Sequence, residues 1–387
     1  MTVRKLPPKD SPEGQKVIER YLAGERATLV AELGYSSRGA LNTAMSRTYG
    51  LRVSEQPWVG KVTTSTGLTE LELQVLELVG TEAVSVGEIS RRVDRSAETV
   101  IKTIDALRSK SYEVVLDEIS RQVSIPQEPT KEFKPTEFKY FRKFYRIGLV
   151  SDTQMGSKYQ QVTLLHDAYA DFDKRQVDFV LHAGDVTDGR DMYRGQLEET
   201  FLHGADEQKD YVVKSFPHLA RGRRTYMIGG QHDRSFYRDK GYNIIRAICQ
   251  ERKDLVDRGF YKAEFSVKGL KVGLQHPGGG VAYARSYRMQ KIIEGMMGFI
   301  NTIPAANAPV LQIFGHWHIP CHLPAYMGID AVSLPCFQSQ TPYLEQHGLM
   351  PMVGYAVAEI SLDKDDNLTS TKIEFIVLNA QIKEKDY

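Results

Sequence analysis

The sequence predicts an α/β sheet over its C-terminal two-thirds, preceded by two smaller modules that are mostly helical. From Tyr145 onward, short apolar runs that end in polar residues and glycine alternate with longer amphipathic patterns. The first 60 residues contain short helical patterns separated by glycines, and residues 68–125 read as three helices followed by a hairpin. A chain of 387 residues exceeds what one compact core usually organises, so these blocks are expected to be separate domains.

The composition is that of an ordinary globular protein, with 41% hydrophobic and 26% charged residues. The net charge of +1 gives no general attraction to nucleic acid, so any such binding must come from local patches. Three cysteines without a CxxC pair argue against a disulfide framework or a zinc ribbon. No apolar stretch reaches the roughly 18 residues of a membrane helix, and the start lacks an apolar signal region. We therefore expect a cytoplasmic protein.

Residues 1–60 are predicted to form a small helical module. Helical patterns between Pro12 and Val53 stop at Gly24, Gly34 and Gly50. Three short helices with tight turns resemble a helix-turn-helix. A small bundle that contacts a partner protein or a second copy of the chain explains the pattern equally well.

Residues 61–127 are predicted to form a winged-helix-like domain. Thr69, Ser85 and Ser96 are expected to cap three successive helices, and two β-like runs follow. This order resembles a winged helix, which implies that the third helix enters a DNA groove. The basic side chains expected to contact DNA are those of Arg91, Arg92, Arg95 and Lys102. Winged helices also dock proteins, and the N-terminal part of the chain as a whole carries nearly as many acidic as basic residues, so both roles stay open.

Residues 128–144 are predicted to be an extended linker. Pro129 and Pro135 oppose a continuous helix. The linker also contains aromatic residues that are expected to dock on the next domain, namely Phe133, Phe138, Tyr140 and Phe141. In the following domain, residues 145–387, the pattern between Gly195 and Ala220 is predicted to be one long helix.

Ionisable residues follow the strand-like runs of the predicted sheet directly. They are Asp152, Asp185, His276, His316 and His318. In open α/β sheets, ligands bind in the crevice outside the carboxyl ends of the strands. One such residue would be read as a cap or turn, but five carboxylates and imidazoles at successive strand ends predict a metal site.

Five segments carry a resemblance to a known family: SDTQMGS, HAGDVTDG, GGQHDRS, LQHPGG and FGHWH. Their order and spacing resemble the five motifs of the calcineurin-like metallophosphoesterase superfamily, usually written DxH, GDxxD, GNHD, a lone His, and GHxH. The resemblance covers about Tyr145 to Ser361 and implies a four-layer αββα sandwich. The first two segments are also similar to the SbcD-type branch of DNA-repair exonucleases.

The resemblance implies a role for each matching residue. Asp152, Gln154 and His318 would hold one divalent ion, and Gln231, His276 and His316 a second, with Asp185 bridging both. His232 would donate a proton or stabilise the transition state. Arg234 and Arg238 follow a motif position and are expected to contact the substrate. His182, Asp188 and Asp233 are expected to orient ligands, Cys321 and His322 to be structural, and Trp317 to pack away from the metals.

Two positions depart from the family pattern. Gln154 stands where the DxH histidine is expected, and Gln231 stands where GNHD has asparagine. Amide oxygens in both places would make the site richer in oxygen and favour Mn²⁺ or Mg²⁺ over zinc. A working two-metal site, a one-metal site and a domain without catalysis are the three open outcomes.

Three functions are therefore compatible with the sequence. The first is a metal-dependent phosphodiesterase or nuclease that acts on DNA. The second is a phosphomonoesterase or small-molecule phosphodiesterase whose N-terminal modules dock partner proteins. The third is a DNA-binding protein that keeps a catalytically degenerate phosphoesterase domain.

Overall fold

The chain divides into two compact units, residues 1–67 and residues 68–387. The computed structural model describes residues 6–9, 11–22, 29, 32–33, 44–45, 48–49, 68–129, 134–138, 143–279, 284, 286–300 and 308–380. Within this described part, no helix is long and apolar enough to cross a membrane.

The first unit contains helix α1, Pro12–Leu22. Leu29, Met45 and Tyr49 are buried, and Val17 and Ile18 of α1 pack against them. Most of the other helical patterns of this unit fall outside the described residues, so its resemblance to a helix-turn-helix stays a prediction.

Residues 68–125 form three helices and a small antiparallel sheet. The helices are α2, Glu70–Leu78; α3, Val86–Val93; and α4, Ala97–Ser109. The strands are β1, Val84–Ser85; β2, Val115–Leu116; and β3, Gln122–Ser124, in the order β1-β3-β2. Thr69, Ser85 and Ser96 accept a backbone N–H at the three helix starts, as predicted. The assignment as a winged helix stays a prediction.

This block is packed onto the rest of its unit. Its core is formed by Val75, Ile89, Val100 and Ile104, among others, and also includes Tyr237 from the C-terminal part of the chain. The side chain of Tyr237 is almost completely buried there. Residues 68–125 therefore share a hydrophobic core with the predicted phosphoesterase domain.

Two six-stranded sheets make up the centre of the C-terminal part. The first has the order β15-β14-β5-β6-β7-β8, with strands β5, Phe144–Val150; β6, Phe179–His182; β7, Thr225–Gly229; β8, Leu255–Phe260; β14, Gly354–Leu362; and β15, Leu368–Val377. The second has the order β12-β13-β11-β10-β9-β4, with strands β4, Thr136–Phe138; β9, Lys262–Val267; β10, Leu270–Gln275; β11, Leu311–Phe314; β12, Cys321–Tyr326; and β13, Ile329–Ser333.

Helices cover the outer faces of both sheets, which gives the expected four layers. The described helices are α5, Val162–Arg175; α6, Gln196–Glu199; α7, Ala205–Ser215; α8, Gln231–Lys240; α9, Ile244–Glu251; α10, Tyr287–Ile300; and α11, Pro342–Gln346. Apolar residues of α5, α7 and α9 pack on the first sheet, and those of α10 pack on the second. A further core of residues from both sheets lies between them.

Two segments differ in detail from the sequence-based prediction. Residues 136–138 of the predicted linker form β4, which pairs in parallel with β9. Phe138 is buried as predicted and stacks on Phe179 with ring centroids 3.9 Å apart, whereas Phe133, Tyr140 and Phe141 lie outside the described residues. The predicted long helix between residues 195 and 220 is instead α6 and α7, because Gly204 starts a second helix whose N-terminus is tied by Glu207.

Candidate metal centre

The predicted metal ligands meet where strands of both sheets end. Asp152 follows β5 and Asp185 follows β6, and Gln231 begins α8 after β7 in the same sheet. In the second sheet, His276 follows β10, and His316 and His318 follow β11. The two sheets therefore contribute side chains to one centre, as expected from the position of each residue after a strand.

The backbone is strained at most of these positions. The φ angle is positive at Asp152 (51°), Gln154 (44°), Asp185 (53°), His316 (81°) and His318 (56°). A left-handed conformation costs a residue with a Cβ atom about 1–2 kcal/mol, and such residues cluster at functional sites. The surrounding fold must therefore supply the free energy that holds these five residues in place.

Glycines in the motifs allow the loops to approach each other closely. A Cβ atom on Gly230 would lie 2.1 Å from Asp185 Oδ1, and one on Gly184 would lie 2.6 Å from His276 Nδ1. Gly184 also has a φ of +97°, which favours glycine. These motif positions therefore require glycine because no side chain fits between the loops.

Asp185, His276 and His316 each direct one potential ligand atom to a common point, and these atoms lie within 4.8 Å of one another. His276 Nδ1 donates to Ala183 O at 2.7 Å, which leaves Nε2 facing Asp185 Oδ2 at 3.1 Å. His316 Nε2 donates to Gly279 O at 2.8 Å, which leaves the lone pair of Nδ1 available to a ligand. Backbone carbonyls thus fix both ring tautomers, as they do for histidines that bind metals.

Asp152 and His318 form the other half of the centre. His318 Nε2 lies 3.1 Å from Asp152 Oδ1, and the His316 backbone N–H donates to Asp152 Oδ2 at 2.9 Å. The Ser151 hydroxyl donates to the same carboxylate. Asp152 is fully buried, so the loop after β11 is tied to a carboxylate at the end of β5.

Opposed charges shift the pKa values of these groups. Burial acts to raise the pKa of Asp185, but His276 and His232 hold it well below its usual range. Burial acts to lower the pKa of His276, but Asp185 raises it to about 9. For Asp152, burial likewise acts upward, but His318 keeps the pKa below its usual range. The neighbouring imidazoles therefore hold both buried carboxylates in their charged form.

Both glutamines at the unusual positions present an amide oxygen without a partner. Among the described residues, neither Gln154 Oε1 nor Gln231 Oε1 has a hydrogen-bond partner, although both atoms are buried. Gln231 Nε2 donates to Pro277 O at 2.9 Å, which directs its oxygen away from that carbonyl. An unpaired buried oxygen costs about 1–3 kcal/mol. The donor set therefore fits cations that accept oxygen ligands.

His232 is positioned beside Asp185. Its Nδ1 donates to Asp188 O at 2.6 Å, and its backbone N–H donates to Asp185 Oδ1 at 2.9 Å. Its Nε2 lies 4.0 Å from Asp185 Oδ2 and borders an open cavity. The ring is thus oriented with its free nitrogen toward the space in which a substrate would lie.

The three residues predicted to orient ligands all hold loops of the centre. Asp233 accepts the backbone N–H groups of Val186, Thr187 and Gly230 at 2.8–3.1 Å. Asp188 accepts the Thr200 hydroxyl at 3.1 Å. His182 contacts Thr153 Oγ1 at 3.1 Å, and burial lowers its pKa to about 4, so its ring is neutral.

The predicted substrate arginines lie on α8 but differ in their contacts. Arg234 donates to Gln127 O at 3.0 Å and to Glu128 at 2.9 Å, so it is engaged with the segment before β4. Arg238 is exposed and lies 4.0 Å from Met192 Sδ at the edge of the cavity. Contact of either residue with a substrate stays a prediction.

In residues 68–125, the basic side chains predicted to bind DNA pair with acidic side chains or with a backbone carbonyl. Arg91 and Arg92 both pair with Glu88, and Lys102 pairs with Glu98 at 2.7 Å. Arg95 donates to the carbonyl of Asp94. The block contains eleven Asp and Glu against seven Lys and Arg, a net charge of −4. Its DNA binding stays a prediction, and this charge opposes it.

A cavity of about 380 Å³ opens directly beside the centre. Asp185, Gln231, His232 and His316 line its inner end. Trp317, predicted to pack away from the metals, borders the cavity and also packs against Phe314. His322 pairs with Asp330 at 2.9 Å, which supports the structural role expected for it, and Cys321 packs against the core beside α10.

Sequence reasoning missed the outer walls of this cavity. Tyr193 and Tyr343 stack there with ring centroids 4.1 Å apart, and Met350 lines the same wall. Arg288 was also missed, and it donates to Gly278 O at 3.0 Å next to the carbonyl that orients His316. These residues belong to no motif and come together only in the folded chain.

Comparisons with known proteins give a family match and a curated relative. Residues 145–320 match the model of the family described as Calcineurin-like phosphoesterase. A curated relative, the DNA polymerase II small subunit of Methanothermobacter thermautotrophicus, is 22% identical over 250 residues, covering 54% of this chain and 51% of the relative. The chain thus spans about half the length of the curated relative that it matches.

Solved structures with similarity are more distant. A dimetal phosphatase from Danio rerio is 12% identical over 61% of this chain and 99% of its own, with a TM-score of 0.33. Vps29 from Chaetomium thermophilum is 9% identical over 61% of this chain and 100% of its own, with a TM-score of 0.31.

Proposed function

Residues 145–320 form a calcineurin-like phosphoesterase domain, and from this premise we propose that the protein is a metal-dependent phosphodiesterase that cleaves DNA strands. Members of this family are phosphoester hydrolases that use divalent metal ions. One observation carries the proposal that the present site is active. The two residues that depart from the family pattern, Gln154 and Gln231, each bury an amide oxygen that has no partner among the described residues. A site kept only for structure would have no reason to maintain two such costs.

Seven side chains would hold the metal ions in this proposal. Asp152, Gln154 and His318 would hold one ion, and Gln231, His276 and His316 a second, with Asp185 shared between them. When bound, two divalent ions polarise a phosphoryl group and supply a hydroxide at neutral pH. Four of the seven donors are oxygens, which favours Mn²⁺ or Mg²⁺.

His232 would serve the leaving group. Its Nδ1 is committed to the Asp188 carbonyl, so Nε2 is the nitrogen that exchanges a proton with the substrate. A proton on Nε2 would pass to the leaving oxygen as the ester bond breaks. Asp185, 4.0 Å from this nitrogen, would stabilise the protonated ring.

Two observations favour a nucleic acid over a small phosphoester as the substrate. The curated relative is a small subunit of a DNA polymerase, which points to a DNA-related role. The cavity beside the centre is also aromatic, and aromatic side chains bind bases by stacking. The acidic net charge of residues 68–125 favours a structural role for that block over a role in holding DNA.

A comparison of substrates tests this proposal. Purified protein with Mn²⁺ is incubated with single-stranded DNA, duplex DNA, bis(4-nitrophenyl) phosphate and 4-nitrophenyl phosphate. We expect hydrolysis of both the DNA and the aryl phosphodiester, and little hydrolysis of the monoester. Faster hydrolysis of the monoester would replace the proposal with a phosphomonoesterase, and no hydrolysis with Mn²⁺, Mg²⁺, Co²⁺ or Zn²⁺ would reject catalysis.

A further inference from the structure

The cavity beside the metal centre has two ends of different character. Asp185, Gln231 and His232 form the inner end. The outer walls are apolar or aromatic and include Met192, Tyr193, Trp317, Tyr343, Leu349 and Met350. A volume of about 380 Å³ lies in the range of pockets that enclose one small molecule. The cavity therefore has room for one group attached to a phosphate held at the inner end.

The aromatic wall is held in place by a buried carboxylate. Glu199 accepts the Tyr193 hydroxyl at 2.8 Å and the Tyr343 backbone N–H at 3.0 Å. The two tyrosine rings stack with 23° between their planes. Glu199 itself is buried, and it anchors the hydroxyl of Tyr193 and the backbone of Tyr343. This wall is preorganised, which lowers the entropy cost of binding a flat ligand.

Polar side chains along the cavity are already engaged within the protein. Gln338 Nε2 donates to Ser157 Oγ at 3.2 Å, and Thr341 Oγ1 accepts the Leu344 N–H at 3.2 Å. Ser333 Oγ donates to Ile319 O at 2.8 Å. The outer part of the cavity is therefore mainly aromatic and aliphatic surface, which binds a π system by contact rather than by hydrogen bonds to its edges.

We propose that this cavity binds the unpaired nucleobase next to the scissile phosphate. The proposal rests on the phosphodiesterase function above, because the phosphate must lie at the metal centre to place the base. A base inside a duplex is paired and stacked, so it has to leave the helix before it enters such a pocket. The protein accordingly acts on single-stranded segments and frayed ends, with little preference among the four bases.

Binding of two matched ligands tests the pocket without any need for turnover. Thymidine 5′-monophosphate and 2-deoxyribose 5-phosphate carry the same phosphate and sugar, and they differ only in the base. With Mn²⁺ present, calorimetry should show that the full-length protein binds the nucleotide on the order of 10- to 100-fold more tightly, as expected for one stacked base.

Variants of residues in the outer wall of the cavity test whether the preference for the nucleotide arises there. Tyr343→Ala should reduce the affinity for the nucleotide to that for the sugar phosphate, whereas Tyr343→Phe keeps the ring and should preserve the preference. Met350 is largely exposed at the wall, so Met350→Ala gives a second variant that folds even if loss of Tyr343 does not. We expect Met350→Ala to weaken nucleotide binding and to leave the sugar phosphate unaffected.

The outcomes separate this proposal from the one on which it rests. Equal affinity for the two ligands in the unaltered protein overturns the base pocket, even if the protein hydrolyses phosphodiesters. Base-dependent binding without hydrolysis of any substrate supports the pocket and overturns the phosphodiesterase function. A preference that survives both Tyr343→Ala and Met350→Ala would also overturn the assignment, because the base would then bind elsewhere.

Discussion

The metal centre and residues 68–125 were both predicted as functional regions, yet their side chains are organised in opposite ways. At the centre, five residues have positive φ angles, and two buried amide oxygens have no partner in the described part of the chain. In residues 68–125, the basic side chains predicted to bind DNA pair with Glu88 and Glu98 or donate to a nearby backbone carbonyl. Positive φ angles also occur in residues 68–125, at Asp94, Ser111 and Arg121, so unused bonding capacity rather than strain distinguishes the region that is prepared for a ligand.

The largest effect should come from the bridging carboxylate of the centre. Asp185→Asn removes one negative charge from the position shared by both ions, so hydrolysis of bis(4-nitrophenyl) phosphate should fall by roughly 10³-fold. Steady-state rates with Mn²⁺ measure this loss. Asp210→Asn, on the exposed side of α7, is the matched control and should leave the rate unchanged. Full activity of Asp185→Asn would show that the metal centre is not the site of hydrolysis, and the contrast with residues 68–125 would fail.

Gln154 gives the next largest effect, which two variants measure beside a third variant at Gln231. Gln154→Leu should weaken binding of Mn²⁺ by on the order of 10- to 100-fold, because it deletes a ligand oxygen. Gln154→His should tighten binding, since imidazole is the better ligand for transition metals. Gln231→Asn keeps an amide oxygen and should change the affinity least. Calorimetric titration compares them, and equal affinities across the Gln154 series would show that this side chain does not face the metal.

Residues 68–125 should affect stability more than chemistry. Glu113 accepts Asn243 at 2.9 Å, Arg246 at 3.2 Å and the Tyr237 hydroxyl at 3.2 Å, and all three donors lie in the C-terminal part. Glu113→Ala should lower the free energy of unfolding by about 1–3 kcal/mol, because it leaves buried donors without their acceptor. Glu118→Ala, in the exposed hairpin, serves as the control in the same denaturant titration. Equal stability of the two variants would contradict a supporting role.

The smallest effect is expected for the arginines that were predicted to bind DNA. If Arg92 and Arg95 each neutralised a phosphate, their joint replacement by alanine would make the log-log salt dependence of DNA binding shallower by about 1.8. We expect almost no change, since the block is acidic and Arg92 is already paired with Glu88. Fluorescence anisotropy over a salt series provides the slope. A change in this slope of about 1.8 would show that residues 68–125 bind DNA through these two arginines.

The sequence was sufficient to predict that the side chains of the metal centre meet at one edge, because most of them closely follow a strand. The position of Asp152, Asp185 and His276 after short apolar runs indicated a shared edge, and the motif glycines reinforced it. The four layers followed from the family resemblance rather than from periodicity alone. The sequence could not predict where the amide oxygens of Gln154 and Gln231 point. Their direction depends on contacts in the folded chain, such as the hydrogen bond from Gln231 Nε2 to Pro277 O.

Other features escaped prediction because they depend on residues that are distant in the chain. Tyr193 and Tyr343 meet only after Glu199 joins the segment of Tyr193 to helix α11, and no pattern in either segment marks them. Tyr237 sits in the polar sequence of α8, so nothing in that helix indicated a place in the core of residues 68–125. Phe138 was expected to dock, but its strand could not be assigned to the edge of the second sheet without a partner for pairing.

The burial of Tyr237 in the core of residues 68–125 has a consequence for how the chain unfolds. Helix α8 begins with Gln231 and His232 at the metal centre and ends, through Tyr237, inside the neighbouring block. Opening that block exposes Tyr237 and removes support from the helix, so the amide protons of α4 and α8 should exchange with solvent in a single cooperative event. A fragment that begins at residue 145 matches the family boundary, yet it would expose this ring and lose the strand Thr136–Phe138. The segment that shows homology is therefore smaller than the segment that folds as a unit.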